Sequence, residues 1–337
     1  MPEPAPTLAP HLELRPEGLY APDFEAFLDP AVPVPRAILS HAHADHAVDG
    51  HGEIWATPET LAFYRRRHPA WTGRERGIAF GEGIEARGTR LTLISSGHIL
   101  GAAQALFASE TGSLLYTGDF KRRASRTAQP AESVRASTLV TETTFGLPVF
   151  RFPPREELER RILAACREAI DEGETPVLLA YALGKAQEVA AILAEAGIPT
   201  VLHGAAWKLV PDFAAAGVAL PGARAYESGP PGPGEALIAP PSTSRTAMVR
   251  GLKKRRVIYL SGWAMRSASR ADLDADVLIS MSDHADFEDL LAHVRDVAPA
   301  SVLAHHGFAG EFARILSGRG IPAAALPGRE ERPREDA

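Results

Sequence analysis

Residues 41–46 carry the densest group of metal-binding side chains in the sequence. They read His-Ala-His-Ala-Asp-His, so three histidines and one aspartate lie within six positions. An apolar run at 37–39 precedes them, and a strand ending there would place all four side chains in one loop at a sheet edge. Imidazole and carboxylate ligands together suit zinc, manganese or iron. The alternative is a surface histidine tract that binds no metal.

Further histidines and aspartates follow other apolar runs. Taken singly, each is more often a turn residue or a helix cap than a ligand. Because the same pattern recurs along the chain, we expect these residues to meet the first cluster at one metal site. They are His98, Asp119, His284 and His306.

Hydrophobic patterning places these residues on an α/β framework. Apolar residues on one face predict helices over 156–173 and 185–197, and the apolar run 176–181 between them completes a βαβ unit with a parallel sheet. Short apolar runs in the first 145 residues fit buried strands, although such runs are ambiguous on periodicity alone. Strands are predicted at 37–40, 91–95, 114–117 and 138–141, and later strand or helix patterns cover 257–262, 277–280, 286–297, 301–306 and 311–320.

Length and composition limit the class of protein. At about 150 residues per domain, 337 residues suggest two domains. The single cysteine, Cys166, excludes an intrachain disulfide and a cysteine-rich zinc module. The formal net charge of -6 excludes a protein coated with positive charge, but not local basic patches. No apolar run long enough to span a bilayer and no signal peptide is apparent, so we expect the cytoplasm.

The order of the motifs resembles the metallo-β-lactamase fold. In that fold HxHxDH is followed by Gly-His, here at 97–98, by Gly-Asp, here at 118–119, and by a late histidine, here His306. In the plain fold the last histidine follows the aspartate fairly closely. Here a long segment separates the two, and an insertion at this place resembles the β-CASP branch, the nucleases of that superfamily.

Further motifs carry the resemblance to the β-CASP branch. Glu142 in TETTFG and His284 in SDHAD match its acidic and histidine motifs, and HHG contains His306. GKAQE at 184–188 and SGWA at 261–264 resemble sequences of its inserted domain. The resemblance covers the chain from residue 29 to about 326. It is most like the short bacterial group called ligase-associated DNA exonucleases, which are also labelled mRNA 3′-end processing factors.

The resemblance implies an α/β protein with a four-layer αββα metallo-β-lactamase fold and an inserted α/β β-CASP domain. The metallo-β-lactamase domain would be discontinuous, over 1–149 and 266–337, and the β-CASP domain would cover 150–265.

The resemblance also implies two divalent metal ions per chain, zinc or manganese or both. Two such ions, about 3.5–4 Å apart, activate a water molecule and clamp phosphate oxygens. The implied ligands are His41, His43 and His98 for one ion, Asp45, His46 and His306 for the other, and Asp119 as the bridge. Asp45 is also expected to be essential for catalysis.

Three more roles come from the resemblance. His284 would hydrogen-bond the scissile phosphate or protonate the leaving oxygen, and Glu142 would orient its imidazole. Asp29, directly before Pro30, would brace the ligand loop, with a simple turn residue as the alternative.

The implied function is metal-dependent hydrolysis of phosphodiester bonds in single-stranded DNA or RNA, with exonucleolytic action expected and endonucleolytic action as the alternative. A DNA ligase or helicase is the implied partner protein, and no membrane is involved. Hydrolysis of a thioester or lactam is the alternative, but it leaves Glu142, His284 and the inserted segment unexplained. A non-catalytic scaffold is a third reading, although every ligand position is filled. The ligase-associated resemblance favours DNA, whereas His306 is the usual mark of RNA processors, so both substrates stay open.

Local basic clusters offer contacts to backbone phosphates. One cluster follows Asp119 within a few residues, and another lies near the end of the inserted segment. We expect salt-sensitive binding of a single strand from them, with a merely solvated surface as the alternative. The candidate contacts are Lys121, Arg122, Arg123 and Arg126, and Lys253, Lys254, Arg255 and Arg256.

Overall fold

The computed structural model describes residues 7–9, 11–265 and 273–327, and within these residues the strands form three sheets. The strands are β1 (Thr7–Ala9), β2 (Leu12–Arg15), β3 (Gly18–Ala21), β4 (Ala26–Leu28), β5 (Ala37–Ile38), β6 (Glu53–Ala56), β7 (Arg74–Gly77), β8 (Gly83–Ala86), β9 (Thr89–Ser95), β10 (Ala103–Ser109), β11 (Gly112–Tyr116), β12 (Thr138–Glu142), β13 (Thr175–Leu179), β14 (Thr200–Leu202), β15 (Ala223–Ala225), β16 (Ala236–Ala239), β17 (Arg255–Leu260), β18 (Val277–Ile279), β19 (Ser301–His305) and β20 (Ala323–Ala325). The helices are α1 (Pro58–Arg67), α2 (Arg155–Asp171), α3 (Lys185–Glu195), α4 (Gly204–Trp207), α5 (Val210–Ala215), α6 (Ala247–Arg250), α7 (Phe287–Val297) and α8 (Ala309–Gly318).

The first two sheets share a hydrophobic core. The first sheet runs from β1 to β7 in chain order, and the second runs β20-β19-β12-β11-β10-β9-β8. Phe24 joins them, because its ring centroid lies 6.2 Å from that of Trp55 in the first sheet and 5.7 Å from that of Phe107 in the second. Phe287 of α7 and Phe312 of α8 pack in a further core cluster with apolar residues of the second sheet.

The third sheet is parallel throughout, in the order β15-β14-β16-β13-β17-β18. Its core strand β13 lies between α2 and α3 in the chain, so the helix–strand–helix order and the parallel sheet predicted over 156–197 are confirmed. Apolar clusters cover both of its faces, which explains why its strands read as continuous apolar runs. Because β18 pairs with β17, the sheet extends to Ile279. It therefore passes residue 265, where the inserted domain was expected to end.

The strands predicted before the metal-binding residues are present. The run 114–117 overlaps β11, which ends at Tyr116, whereas 138–141 lies in β12 and 91–95 is the second part of β9. The run 37–40 is shorter than predicted, since β5 ends at Ile38. Its neighbour Leu39 still donates its backbone N–H to the carbonyl of Trp55, at 2.9 Å, so the ligand loop starts directly from the sheet.

Helix α7 begins after a capping aspartate. Asp286 caps α7 by accepting a hydrogen bond from the backbone N–H of Asp289, at 2.9 Å.

Among the helices in the described parts of the chain, none combines the length and the apolarity that crossing a membrane requires.

Candidate metal centre

Loops that follow strands bring the predicted ligands together. Residues 41–46 follow β5, His98 follows β9, and Asp119 follows β11. His284 follows β18 and His306 follows β19. These residues lie around one cavity, except that His41 is fully buried beneath its lining. The expectation that the separate motifs converge is therefore met in the structure.

The carboxylate of Asp119 lies at the centre of the histidine cluster. Its Oδ2 is 3.4 Å from Nε2 of His46, 3.6 Å from Nε2 of His41 and 3.7 Å from Nε2 of His98. Nδ1 of His43 lies 3.0 Å from Nε2 of His98. Nitrogen and oxygen atoms grouped this closely on separate elements form a ready donor set for a divalent metal ion.

Burial prepares three of the histidine rings for metal binding. Nε2 of His41 is buried and makes no hydrogen bond. Burial, together with the neighbouring imidazoles, holds the pKa of His41 and of His98 well below the usual value. Burial also lowers the pKa of His43. These rings are therefore neutral and offer lone pairs, as metal ligation requires, and the residues present fit a bound metal.

Hydrogen bonds behind two rings fix which nitrogen faces the cluster. Nε2 of His43 lies 3.1 Å from the carbonyl oxygen of Leu183, and Nδ1 of His98 lies 2.7 Å from the carbonyl oxygen of Asp283. Because a carbonyl only accepts, each of these nitrogens carries the proton and the other nitrogen is left for a metal. Leu183 lies between β13 and α3, so a loop of the third sheet orients a histidine that follows the first sheet.

Asp29 lies behind the ligand loop. Its carboxylate accepts hydrogen bonds from the backbone N–H of Ser40 at 2.7 Å and from the Tyr116 hydroxyl at 2.9 Å. Nδ1 of His46 lies 3.0 Å from the same carboxylate, which leaves Nε2 of that ring facing Asp119. This carboxylate therefore links the start of the loop to one of the loop's histidines and to the second sheet through hydrogen bonds.

His284 and Glu142 form an ion pair beside the cluster. Nδ1 of His284 lies 3.0 Å from both carboxylate oxygens of Glu142 and 3.9 Å from Oδ2 of Asp119. The Glu142 carboxylate is fixed in turn, since it accepts from the backbone N–H of Phe120 at 2.8 Å and from the Thr144 hydroxyl. Burial opposes the charge of His284, but Glu142 and Asp119 raise its pKa to about 9.

Asp45 and His306 lie at the rim rather than in the tight group. The side chain of Asp45 is 52% exposed, and its Oδ2 is 3.9 Å from Nε2 of His46. The His306 ring centroid is 5.7 Å from that of His46. Both residues line the cavity, so their ligand roles stay a prediction.

The cavity holds residues that the sequence motifs did not single out as functional. Its volume is about 390 Å³, and its lining includes Lys185, Tyr181 and Asp283. Lys185 lies in the GKAQE motif, which we used only as a mark of the family. The sequence did offer one signal for this role. A lysine directly after a glycine, at the start of a predicted helix, is a position that can face a ligand.

Most of the basic side chains predicted to contact phosphate already form salt bridges with carboxylates of this chain. The salt bridges are Arg122 with Asp296 at 2.6 Å, Arg123 with Asp286 at 2.6 Å, Arg126 with Glu195 at 2.7 Å and Arg256 with Glu172 at 2.6 Å. Lys121 is buried, and Arg255 lies 3.9 Å from Asp274. Lys253 and Lys254 are exposed. Nucleic-acid contacts by these residues stay a prediction, and the exposed lysines are best placed for them.

Replacing Gly118 is expected to destabilise the fold around the metal-binding cluster. Gly118 has φ of +52°, and an added Cβ would lie 2.5 Å from both Cβ and Oγ of Ser40, which Asp29 holds. Gly118→Ala should lower the free energy of unfolding by about 1 kcal/mol for the backbone and by a further 1–3 kcal/mol, roughly, for the overlap. Gly217→Ala is the control, because its φ is +85° but nothing lies within 4 Å. Urea denaturation that shows equal losses in both variants would contradict the expected overlap.

Comparison with known proteins agrees with the geometry. No family model matches the sequence. The chain is 39% identical over 311 residues to a probable DNA ligase of Opitutus terrae, which covers 92% of this chain and 30% of that protein. It is 32% identical over 125 residues to RNase aCSPSF2 of Saccharolobus solfataricus, which covers 36% of this chain and 25% of that protein. The chain thus spans less than a third of the length of these curated relatives.

A solved structure has a similar fold. A protein of unknown function from Enterococcus faecalis superposes with a TM-score of 0.59 at 14% identity, over 88% of this chain and 80% of that chain, which is a likeness of fold alone. The mixed α/β architecture, the histidine–aspartate cluster and the sequence relatives lead to one assignment. The chain belongs to the β-CASP branch of the metallo-β-lactamase superfamily.

Proposed function

We propose that the chain is a metal-dependent nuclease that hydrolyses phosphodiester bonds of single-stranded DNA or RNA exonucleolytically. The observation that carries the proposal is the histidine–aspartate cluster in an open cavity, with the His284–Glu142 pair beside it. The names of two relatives, an RNase and a probable DNA ligase, support nucleic acid as the substrate class. The second name also supports a DNA ligase as the partner protein, and a helicase is the partner that the family resemblance offers besides.

The architecture supports a finer assignment of domains. We assign the first two sheets and their outer helices to a four-layer αββα domain, over 1–149 and the carboxy-terminal segment. The third sheet is the inserted β-CASP domain that starts at about residue 150. The pairing of β18 with β17 supports an end of this domain at Ile279 rather than at residue 265.

The donor atoms suit two divalent ions, zinc or manganese. One ion is assigned to His41, His43 and His98, the other to Asp45, His46 and His306, with Asp119 shared. The fit of the first ion rests on the neutral buried imidazoles of His41 and His98 and on the unpartnered Nε2 of His41. When bound, such ions polarise phosphate oxygens and lower the pKa of water.

The surrounding residues hold the substrate and move a proton. The contact of Nδ1 with Glu142 leaves Nε2 of His284 to hydrogen-bond the scissile phosphate or to protonate the leaving oxygen. In the metal-free protein a pKa of about 9 keeps this ring protonated at neutral pH, and the protonated ring is the form that can donate to phosphate or to the leaving oxygen. Asp29 fixes the ring of His46, and the carbonyls of Leu183 and Asp283 fix two other ligand rings.

A cleavage assay tests the proposal. Single strands of DNA and of RNA, labelled at either end, are incubated with the protein in zinc, manganese or magnesium. We expect stepwise shortening of at least one strand in at least one metal. Asp45→Ala and His284→Ala should each slow it by at least about 10²-fold. Cleavage at the wild-type rate by both variants would contradict the site assignment, and hydrolysis of a thioester or lactam without cleavage would contradict the substrate class.

A further inference from the structure

Two buried lysines share one buried aspartate beside the cavity. Nζ of Lys185 lies 3.4 Å from Oδ2 of Asp283, and Nζ of Lys121 lies 3.9 Å from Oδ1 of the same carboxylate. The side chains of Lys185, Lys121 and Asp283 are 4%, 8% and 6% exposed. Among the residues that the structure describes, no other carboxylate lies within 4.0 Å of either ammonium group.

This group has more positive than negative charge. Two ammonium groups face one carboxylate, and both contacts are longer than the 2.7–2.9 Å, approximately, of a charge-assisted hydrogen bond. Burying a charge without a close partner is unfavourable, so an anion arriving here gains more than it would at the exposed surface. Of the two lysines, Lys185 lines the cavity that also contains Asp119 and His284.

The ammonium group of Lys185 is held in place before any ligand arrives. Lys185 is the first residue of α3 and follows Gly184, whose φ is +91° and whose backbone N–H donates to Oε1 of Gln187 at 2.8 Å. Its Nζ lies 4.8 Å from the ring centroid of Tyr181, a cation–π contact that limits where the charge can move. The position of the charge is therefore set by the third sheet.

We propose that Lys185 binds a backbone phosphate of the strand in the cavity, exchanging the Asp283 carboxylate for a phosphate oxygen. The proposal rests on the nuclease function above, to which it adds a phosphate-binding residue at the start of α3. Lysine binds phosphate as a point charge, and here the charge faces the cavity that holds the metal cluster. After the exchange Asp283 keeps Lys121 as its partner, and its backbone carbonyl still holds Nδ1 of His98.

The first test measures binding to the metal-loaded protein. The probe is a fluorescent single strand with phosphorothioate at every linkage, which resists hydrolysis but keeps its charges. Lys185→Met should weaken binding about tenfold and reduce the slope of log affinity against log salt by about 0.7, the value for one contact to a single strand. Lys185→Arg should keep most of the affinity and the slope. The exposed Lys208 supplies the control, Lys208→Met, which should match wild type.

A double-mutant cycle separates phosphate binding from a merely structural lysine. One phosphate of the probe at a time is replaced by a neutral methylphosphonate. At one position the wild-type protein should lose about tenfold in affinity and Lys185→Met should lose nothing further. Asp283→Asn should tighten binding, because it removes the carboxylate that competes with phosphate. A lysine that only pairs with Asp283 predicts additive losses at every position and weaker binding by Asp283→Asn, and that result overturns the proposal.

The outcomes also distinguish this proposal from the proposed function. A wild-type protein that cleaves strands, with Lys185→Met retaining wild-type affinity and slope, overturns the role of Lys185 alone. A wild-type protein that neither binds nor cleaves any strand overturns the nuclease function and the role of Lys185 with it.

Discussion

Asp119→Asn is expected to remove bound metal and to lower kcat/KM for strand cleavage by at least about 10³-fold. Oδ2 of this residue lies within 3.7 Å of Nε2 of three histidines, so it is the anion about which the donor atoms are arranged. The amide of Asn keeps the shape of the side chain but removes the charge. Without that charge the site must hold its cations with neutral imidazoles and with Asp45, which is half-exposed.

Metal content gives a readout that does not depend on turnover. After dialysis against a weak chelator, wild type should retain divalent metal by elemental analysis and Asp119→Asn should not. The matched control is Asp171→Asn, because Asp171 is an exposed aspartate at the end of α2. An Asp119→Asn protein with full metal content and wild-type turnover would show that another group holds the ions.

The sequence predicted the elements around the candidate site well where the signal is local. Residues 41–46 and the runs that end before His98 and Asp119 are short segments, and hydrophobicity alone marks a strand followed by a polar loop. The helices α2 and α3 were predictable for the same reason, since each places its apolar residues on one face.

Contacts between distant segments were not predictable from the sequence. The carbonyl of Leu183 orients His43 only because the third sheet packs beside the first cluster, and a backbone carbonyl has no sequence signature. The basic clusters looked available for phosphate because their carboxylate partners are far away in the chain. Arg122, for example, pairs with Asp296, and that pairing requires the folded second sheet and α7.

Glu142→Gln is expected to lower the pKa of His284 from about 9 towards or below its ordinary value of about 6.5. Burial lowers this pKa, and the charge of Glu142 is the foremost of the influences that raise it. Glutamine keeps the size of the side chain and an oxygen that can accept from Nδ1, but it has no charge. A histidine titration by NMR on the metal-free protein measures the change. Glu110→Gln, at an exposed turn, should leave the pKa at about 9.

The sign of the effect on stability follows from the direction of the shift. A pKa raised in the folded state means that folding favours the protonated ring, so His284 stabilises the metal-free fold below pH 6.5, approximately, and this contribution disappears as the pH rises through about 9. Its full size is about 3 kcal/mol. Glu142→Gln should therefore be less stable than wild type at pH 6, and the difference should shrink towards pH 9. In the metal-loaded protein the same variant should cleave strands about 10²-fold more slowly, because the ring loses the negative charge that stabilises its protonated form. If Glu142 only fills space beneath the ring, Glu142→Gln will instead keep the wild-type titration and the wild-type rate.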